Sequence, residues 1–122
     1  MRAGEKGRSG EELALLYLQN KGYALLEQNF RFQNCEIDLI LRDGETLVFV
    51  EVKQRSREVP RLAVDRAKQQ RLCRAALGYA VQQGYLGRPL RFDVVEIQRQ
   101  GGELRLRHLP GAFEFIKGRY FA

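Results

Sequence analysis

Residues 36–53 leave the backbone few choices. Two apolar runs, Glu36-Ile37-Asp38-Leu39-Ile40-Leu41 and Thr46-Leu47-Val48-Phe49-Val50-Glu51-Val52-Lys53, flank Arg42-Asp43-Gly44-Glu45. Asp-Gly between such runs predicts a β-hairpin, because it tolerates the positive φ angles of a tight two-residue turn. With Asp43-Gly44 as the turn, Asp38 faces Phe49 and Glu36 faces Glu51. Side chains alternate along a strand, so Glu36, Asp38, Glu51 and Lys53 are expected on one face. Asp38 and Glu51 are then diagonal neighbours, roughly 7–8 Å apart at the backbone.

That face is costly to build. Like charges across a sheet repel, and Glu51 and Lys53 break into an otherwise apolar strand. A divalent cation between the carboxylates offsets the repulsion. On its own, an Asp followed later by Glu-x-Lys is a pattern that any surface strand produces. The apolar run into Glu51, the hairpin turn and an acidic first helix appear together here and favour a site. Two carboxylates and a nearby lysine suit phosphodiester hydrolysis, with the lysine positioning water or stabilising charge on phosphorus.

The remainder of the chain supplies helices for this sheet. Leu13, Ala14, Tyr17 and Leu18 follow helical spacing over Gly10 to Lys21. Ser9 is the expected N-cap, Glu11 and Glu12 suit the positive first turn, and Gly22 is the stop. Tyr23 to Phe32 reads as a strand. A second helix is predicted from about Ala63 to Gln82, with Leu72, Ala75, Ala76, Tyr79 and Ala80 on its apolar side. Strands are expected over Leu90 to Ile97 and Leu104 to Leu109, joined by Gly101-Gly102. The order α-β-β-β-α-β-β implies an α/β fold, a mixed sheet flanked by helices. At 122 residues, the chain is one domain, 1–122, with about 1–8 and 117–122 expected to be flexible.

Two cysteines, Cys35 and Cys73, and one histidine, His108, are too few for a four-ligand zinc site. Free thiols in a reducing cytoplasm are expected, and any metal is a hard ion held by carboxylates, Mg²⁺ or Mn²⁺. No apolar run is long enough to span a membrane, and the N-terminus lacks a secretory leader. The formal net charge is +6. Seven of the basic residues lie between Gln54 and Ala75, against two acidic ones, which points to nucleic acid as partner. Arg55, Arg57, Lys68 and Arg71 are the candidate phosphate contacts, with a solvated helix face as the competing explanation. Glu36 is a further ligand or an ion-pair partner. Asp93 is expected to pair with a nearby arginine, His108 to be structural, and Tyr120 and Phe121 to belong to a frayed end.

These blocks also resemble a known family. A helix, Asp38 on the second strand and Glu51-Val52-Lys53 on the third look like the PD-(D/E)xK superfamily with its restriction-endonuclease-like fold. More closely, the chain resembles the YraN family of predicted endonucleases. The matching stretches include Gly10-Glu11-Glu12-Leu13-Ala14, Asn29-Phe30-Arg31, Glu36-Ile37-Asp38-Leu39-Ile40, Leu47 to Lys53 with Arg55, Lys68 with Arg71, and Arg91-Phe92-Asp93-Val94-Val95. The resemblance implies metal ligands at Asp38 and Glu51, a helix glutamate at Glu11 and a catalytic lysine at Lys53. It implies cleavage of DNA, selective for branched structures as in the similar archaeal Holliday-junction resolvases, and a dimer by the same analogy. Cys35 stands where the family usually has glycine, and the loop after Lys53 lacks another. A nucleic-acid-binding module without useful catalysis is the alternative, and an acidic ion-pair network in an interaction protein is a third reading. The intact Asp, Glu and Lys weigh against the second, and the basic segment weighs against the third.

Overall fold

The computed structural model describes residues 9–55 and 65–114. Its elements are α1 (Gly10–Asn20), β1 (Ala24–Phe32), β2 (Cys35–Asp43), β3 (Thr46–Arg55), α2 (Arg66–Gln83), β4 (Leu90–Gln100) and β5 (Glu103–Phe113). The five strands form one sheet in sequential order. All neighbours are antiparallel except β3 and β4, which run parallel with α2 as their crossover. This is the expected α-β-β-β-α-β-β mixed sheet with helices. The expectations for 1–8, 117–122, Tyr120 and Phe121, and for the start of the second helix at about Ala63, lie outside the described residues.

The caps follow the sequence. Ser9 Oγ accepts from Glu12 N–H, and the Glu12 carboxylate accepts from Ser9 N–H, a complete capping box for α1. Gly22 leaves the helix with φ 98°. Asp65 caps α2 by accepting from Lys68 N–H at 2.8 Å, and Gly84 ends it in the left-handed region.

Each helix covers one face of the sheet. Under α2 lie Ile37, Ile40, Leu47, Phe49, Phe92 and Val94 with Leu72, Ala75, Ala76 and Tyr79 of the helix. Under α1 lie Leu39, Leu41, Val48, Val50, Val95 and Ile97 with Ala14 and Leu18. Leu47 to Val50 alternate between these layers, each no more than 1% exposed. A strand buried on both faces has no polar side, which explains its unbroken apolar run.

The hairpin turn falls one residue later than expected. Asp43 pairs with Thr46, leaving Gly44 and Glu45 as the turn. Gly44 takes φ 61°, which fits the first central position of a type II′ turn. An Asp43-Gly44 turn of the mirror type would have forced Asp43 into positive φ as well, at a steric cost glycine avoids. Leu39 therefore faces Val50 and Ile40 faces Phe49, a shift of two in the register. An even shift preserves which face each residue occupies. The pairings proposed for Asp38 with Phe49 and Glu36 with Glu51 are accordingly replaced: Phe49 pairs with Ile40, and the β2–β3 pairing ends at Leu39 and Val50, before Asp38 and Glu51.

Alternation also breaks once. Ile37 and Ile40 lie in the same layer although an odd number of steps separates them. Opposite the break, Asn29 of β1 takes φ 52°, the left-handed conformation that asparagine tolerates better than most residues. Strict alternation thus does not carry Glu36 onto the face of Glu51; it sits 3.7 Å from Arg31 instead.

Candidate active site

The candidate centre forms where β2 and β3 separate beyond Leu39 and Val50. Val52 N–H no longer finds a β2 carbonyl and donates to Asp38 Oδ2 at 2.8 Å. Burial, partly opposed by that hydrogen bond and reinforced by Glu51, Glu11 and Glu36, pushes the Asp38 carboxyl up to about 6. A carboxylic acid so raised is a group short of positive charge.

Glu51 follows the apolar run into the α2 layer and is only 7% exposed. Its Oε2 lies 3.5 Å from Lys53 Nζ and 2.5 Å from Lys68 Nζ. The hydrogen bond to Glu51 holds the Lys68 ammonium above its usual range. Lys68, a candidate phosphate contact, reaches Glu51 from the first turn of α2, a helix packed on β2 and β1. Helical spacing reveals which residues share a face, not which strand that face covers.

Glu11 comes from the other side of the sheet. Gly10 brings α1 tightly onto β3: a Cβ there would stand 2.5 Å from Gln54 Cδ. Glu11 consequently lies close enough to Asp38 to raise its pKa, while its Oε1 accepts from Asn29 Nδ2 at 2.8 Å. Asn29 was not anticipated as part of this neighbourhood. The available signal was an asparagine inside a strand, where it is depleted unless the backbone turns left-handed. Cys35, in place of the family's glycine, is accommodated without strain: it pairs with Phe32 as strand, and Gln33 of the turn takes the positive φ, 55°. Arg57 lies outside the described residues, and Arg55 is described only as the last residue of β3. Both cysteines are free thiols.

Among the described residues, no three His, Cys, Asp or Glu side chains converge at metal-holding distance. The donor set is thus two carboxylates where β2 and β3 part, with a third nearby. That fits Mg²⁺, which binds through one or two carboxylates and takes its remaining ligands from water and substrate phosphate. The ammonium of Lys68 against Glu51 shows that this carboxylate already attracts a cation.

A second polar cluster occupies the α1 side. Asp93 is fully buried and accepts from Arg91 Nε at 2.9 Å and Gly111 N–H at 3.0 Å, with His108 Nε2 at 2.7 Å. Burial alone would raise its pKa; Arg91, Gly111 and His108 outweigh burial and hold it below the ordinary carboxylate range. The arginine partner was expected, whereas His108, which lies edge-on to Tyr17 and Tyr23, joins through long-range packing invisible in sequence.

No helix among the described residues is long and apolar enough to cross a membrane. The model of the uncharacterised protein family UPF0102 matches residues 10–97. UPF0102 proteins of Geobacter metallireducens and Symbiobacterium thermophilum are 44% and 45% identical over 111 residues, 88% of this chain and 91% and 94% of theirs. One of Syntrophus aciditrophicus is 41% identical over 116 residues, covering 93% of this chain and 91% of its own. Among solved structures, Pyrococcus furiosus SfsA in complex with Ca²⁺ aligns with a TM-score of 0.42 at 12% identity, over 83% of this chain and 61% of that one. With the family model spanning most of its length and relatives above 40% identity across nearly all of it, the chain belongs to UPF0102, the YraN family.

Proposed function

We propose that this protein is a Mg²⁺- or Mn²⁺-dependent nuclease that hydrolyses phosphodiester bonds, with DNA as its substrate and branched DNA as the favoured form. The observation that carries this reading is a nearly buried Glu51 set beside an Asp38 carboxyl raised to about 6, with Lys53 two residues further along the same strand. Asp38 and Glu51 would hold the ion, and Glu11 would add a carboxylate from α1. The ion, when bound, activates water and offsets the charge that develops on phosphorus. Lys53, two residues beyond Glu51, positions the attacking water or stabilises the phosphoryl oxygens. Val52 N–H fixes the orientation of Asp38, so the ligand needs no reordering. Burial of Glu51 keeps competing bulk water from its carboxylate and strengthens every charge interaction there.

Labelled linear, nicked, flapped and four-way DNA incubated with the protein in Mg²⁺ or Mn²⁺ tests the reading, alongside Asp38→Ala and Lys53→Ala. Metal-dependent cleavage that both substitutions remove is expected. Cleavage of none of the substrates, or equal cleavage by the variants, would sink it. One observation favours the second reading, a binding module without catalysis: Glu51 is already paired by two ammonium groups. DNA binding with no cleavage under either metal would establish that reading.

A further inference from the structure

The face of α2 that carries Lys68 continues with Arg71 and Arg74. At three-residue intervals, these three cations form a row about 9 Å long. Lys68 ends on Glu51. Arg71 and Arg74 instead line a cleft of about 120 Å³ against the β1–β2 turn, together with Phe32, Gln33, Asn34 and Cys35.

The chemistry of this cleft is one-sided. It has two guanidinium groups, each a rigid fork of donors matched to phosphate oxygens, and two amide side chains at its rim. None of its lining residues is acidic. Phe32 closes one wall and is fixed there, since its ring lies against Gly78, where a Cβ would stand 2.3 Å from Phe32 Cε1. The cleft also adjoins the candidate centre. Cys35, one of its walls, lies within electrostatic range of Glu51 and Lys68 as well as Arg71 and Arg74. A strand whose reacting phosphate lay at Asp38 and Glu51 could place a neighbouring phosphate among the arginines.

We propose that the Arg71–Arg74 cleft binds a phosphodiester of the nucleic-acid strand next to the one held at Asp38 and Glu51. The inference rests on the nuclease reading and adds a specific contact to it. It also assigns Arg74, Gln33 and Asn34 to the substrate track, and separates Arg71 from Lys68, whose partner is the carboxylate.

Fluorescence anisotropy with labelled single-stranded and duplex DNA, in EDTA to prevent turnover and across a salt series, tests the cleft. Each phosphate contact contributes about 0.7–0.9 to the slope of log affinity against log salt. The double variant Arg71→Gln/Arg74→Gln is expected to bind about tenfold more weakly at moderate salt and to lose about 1 from that slope. Arg71→Gln alone, at an exposed position, is expected to lose part of the same slope and serves if the double variant does not fold. Arg105→Gln, an exposed arginine on β5, is expected to leave the slope unchanged. Wild-type binding that the cleft variants leave intact, or that Arg105→Gln weakens equally, would overturn the cleft and leave the Asp38–Glu51 centre standing. A mononucleotide that binds in the cleft while DNA affinity is untouched by the variants would overturn it in favour of a free phosphate ligand. No DNA binding by the wild type would overturn both proposals.

Discussion

Replacing Asp38 by asparagine is expected to stabilise the metal-free protein while abolishing its chemistry. In the unfolded chain this carboxyl titrates near 3.8, and in the fold at about 6. The folded state therefore keeps a proton that the unfolded chain has released, so the group's contribution to stability falls as pH rises from 4 to 6 and stays low above that. The gap corresponds to about 3 kcal/mol at full effect, and to about 2 kcal/mol after allowing for the group's partial solvent access. Asparagine carries no charge, nearly matches the shape, and retains an oxygen to accept from Val52 N–H. Urea unfolding in EDTA should find Asp38→Asn about 2 kcal/mol more stable than wild type at pH 7.5, with the difference closing toward pH 4.5. Saturating Mg²⁺ should raise only the wild type, by about 2.7 kcal/mol at a hundredfold excess over Kd. A variant no more stable than wild type at pH 7.5, or a difference that acid does not shrink, would refute the claim that burial and neighbouring carboxylates strain Asp38.

Other perturbations test the scaffold. Gly78→Ala drives a Cβ into the Phe32 ring at 2.3 Å and should cost about 1–3 kcal/mol in urea unfolding, unlike Gly22→Ala, which meets no atoms but pays for φ 98° alone. Asp93→Ala removes the partner of part-buried Arg91 and of His108 and should cost about 3 kcal/mol. Because Asp93 lies below the ordinary carboxylate range, its contribution is present above the unfolded pKa and lost as pH falls; the variant should lose this part of the wild type's acid sensitivity. Ser9→Ala breaks the capping box of α1 and should cost about 1 kcal/mol, read from thermal unfolding.

Local chemistry made much of the fold legible. Ser9 and Gly22 mark the two ends of α1 through their own hydrogen bonds and dihedrals, and each does so in the structure. The face of the hairpin survived an error in its turn, because moving the turn by one residue shifts the pairing by two. What failed was strict alternation. Asn29 and the residues between Ile37 and Ile40 share an irregularity that belongs to two paired strands, so neither segment reveals it alone. The cross-strand pairing of Glu36 with Glu51 failed, while its alternative role as an ion-pair partner is met by Arg31. The partners of Lys68 and His108 were illegible for a related reason: Glu51 and Asp93 lie across the fold, and only long-range packing brings them within reach, with His108 in the structural role expected of it.

The central claim is that Asp38 and Glu51 together take up a divalent cation, and calorimetric titration of Mn²⁺ into the metal-free protein at pH 7.5 measures it directly. One-site binding to the wild type is expected, weakening as pH falls through about 6 where the Asp38 carboxyl takes up a proton, with binding abolished in Asp38→Asn and in Glu51→Gln. No Mn²⁺ binding by the wild type, or equal binding by both variants, would contradict the account and leave Glu51 as the anchor of a structural ion pair with Lys53 and Lys68.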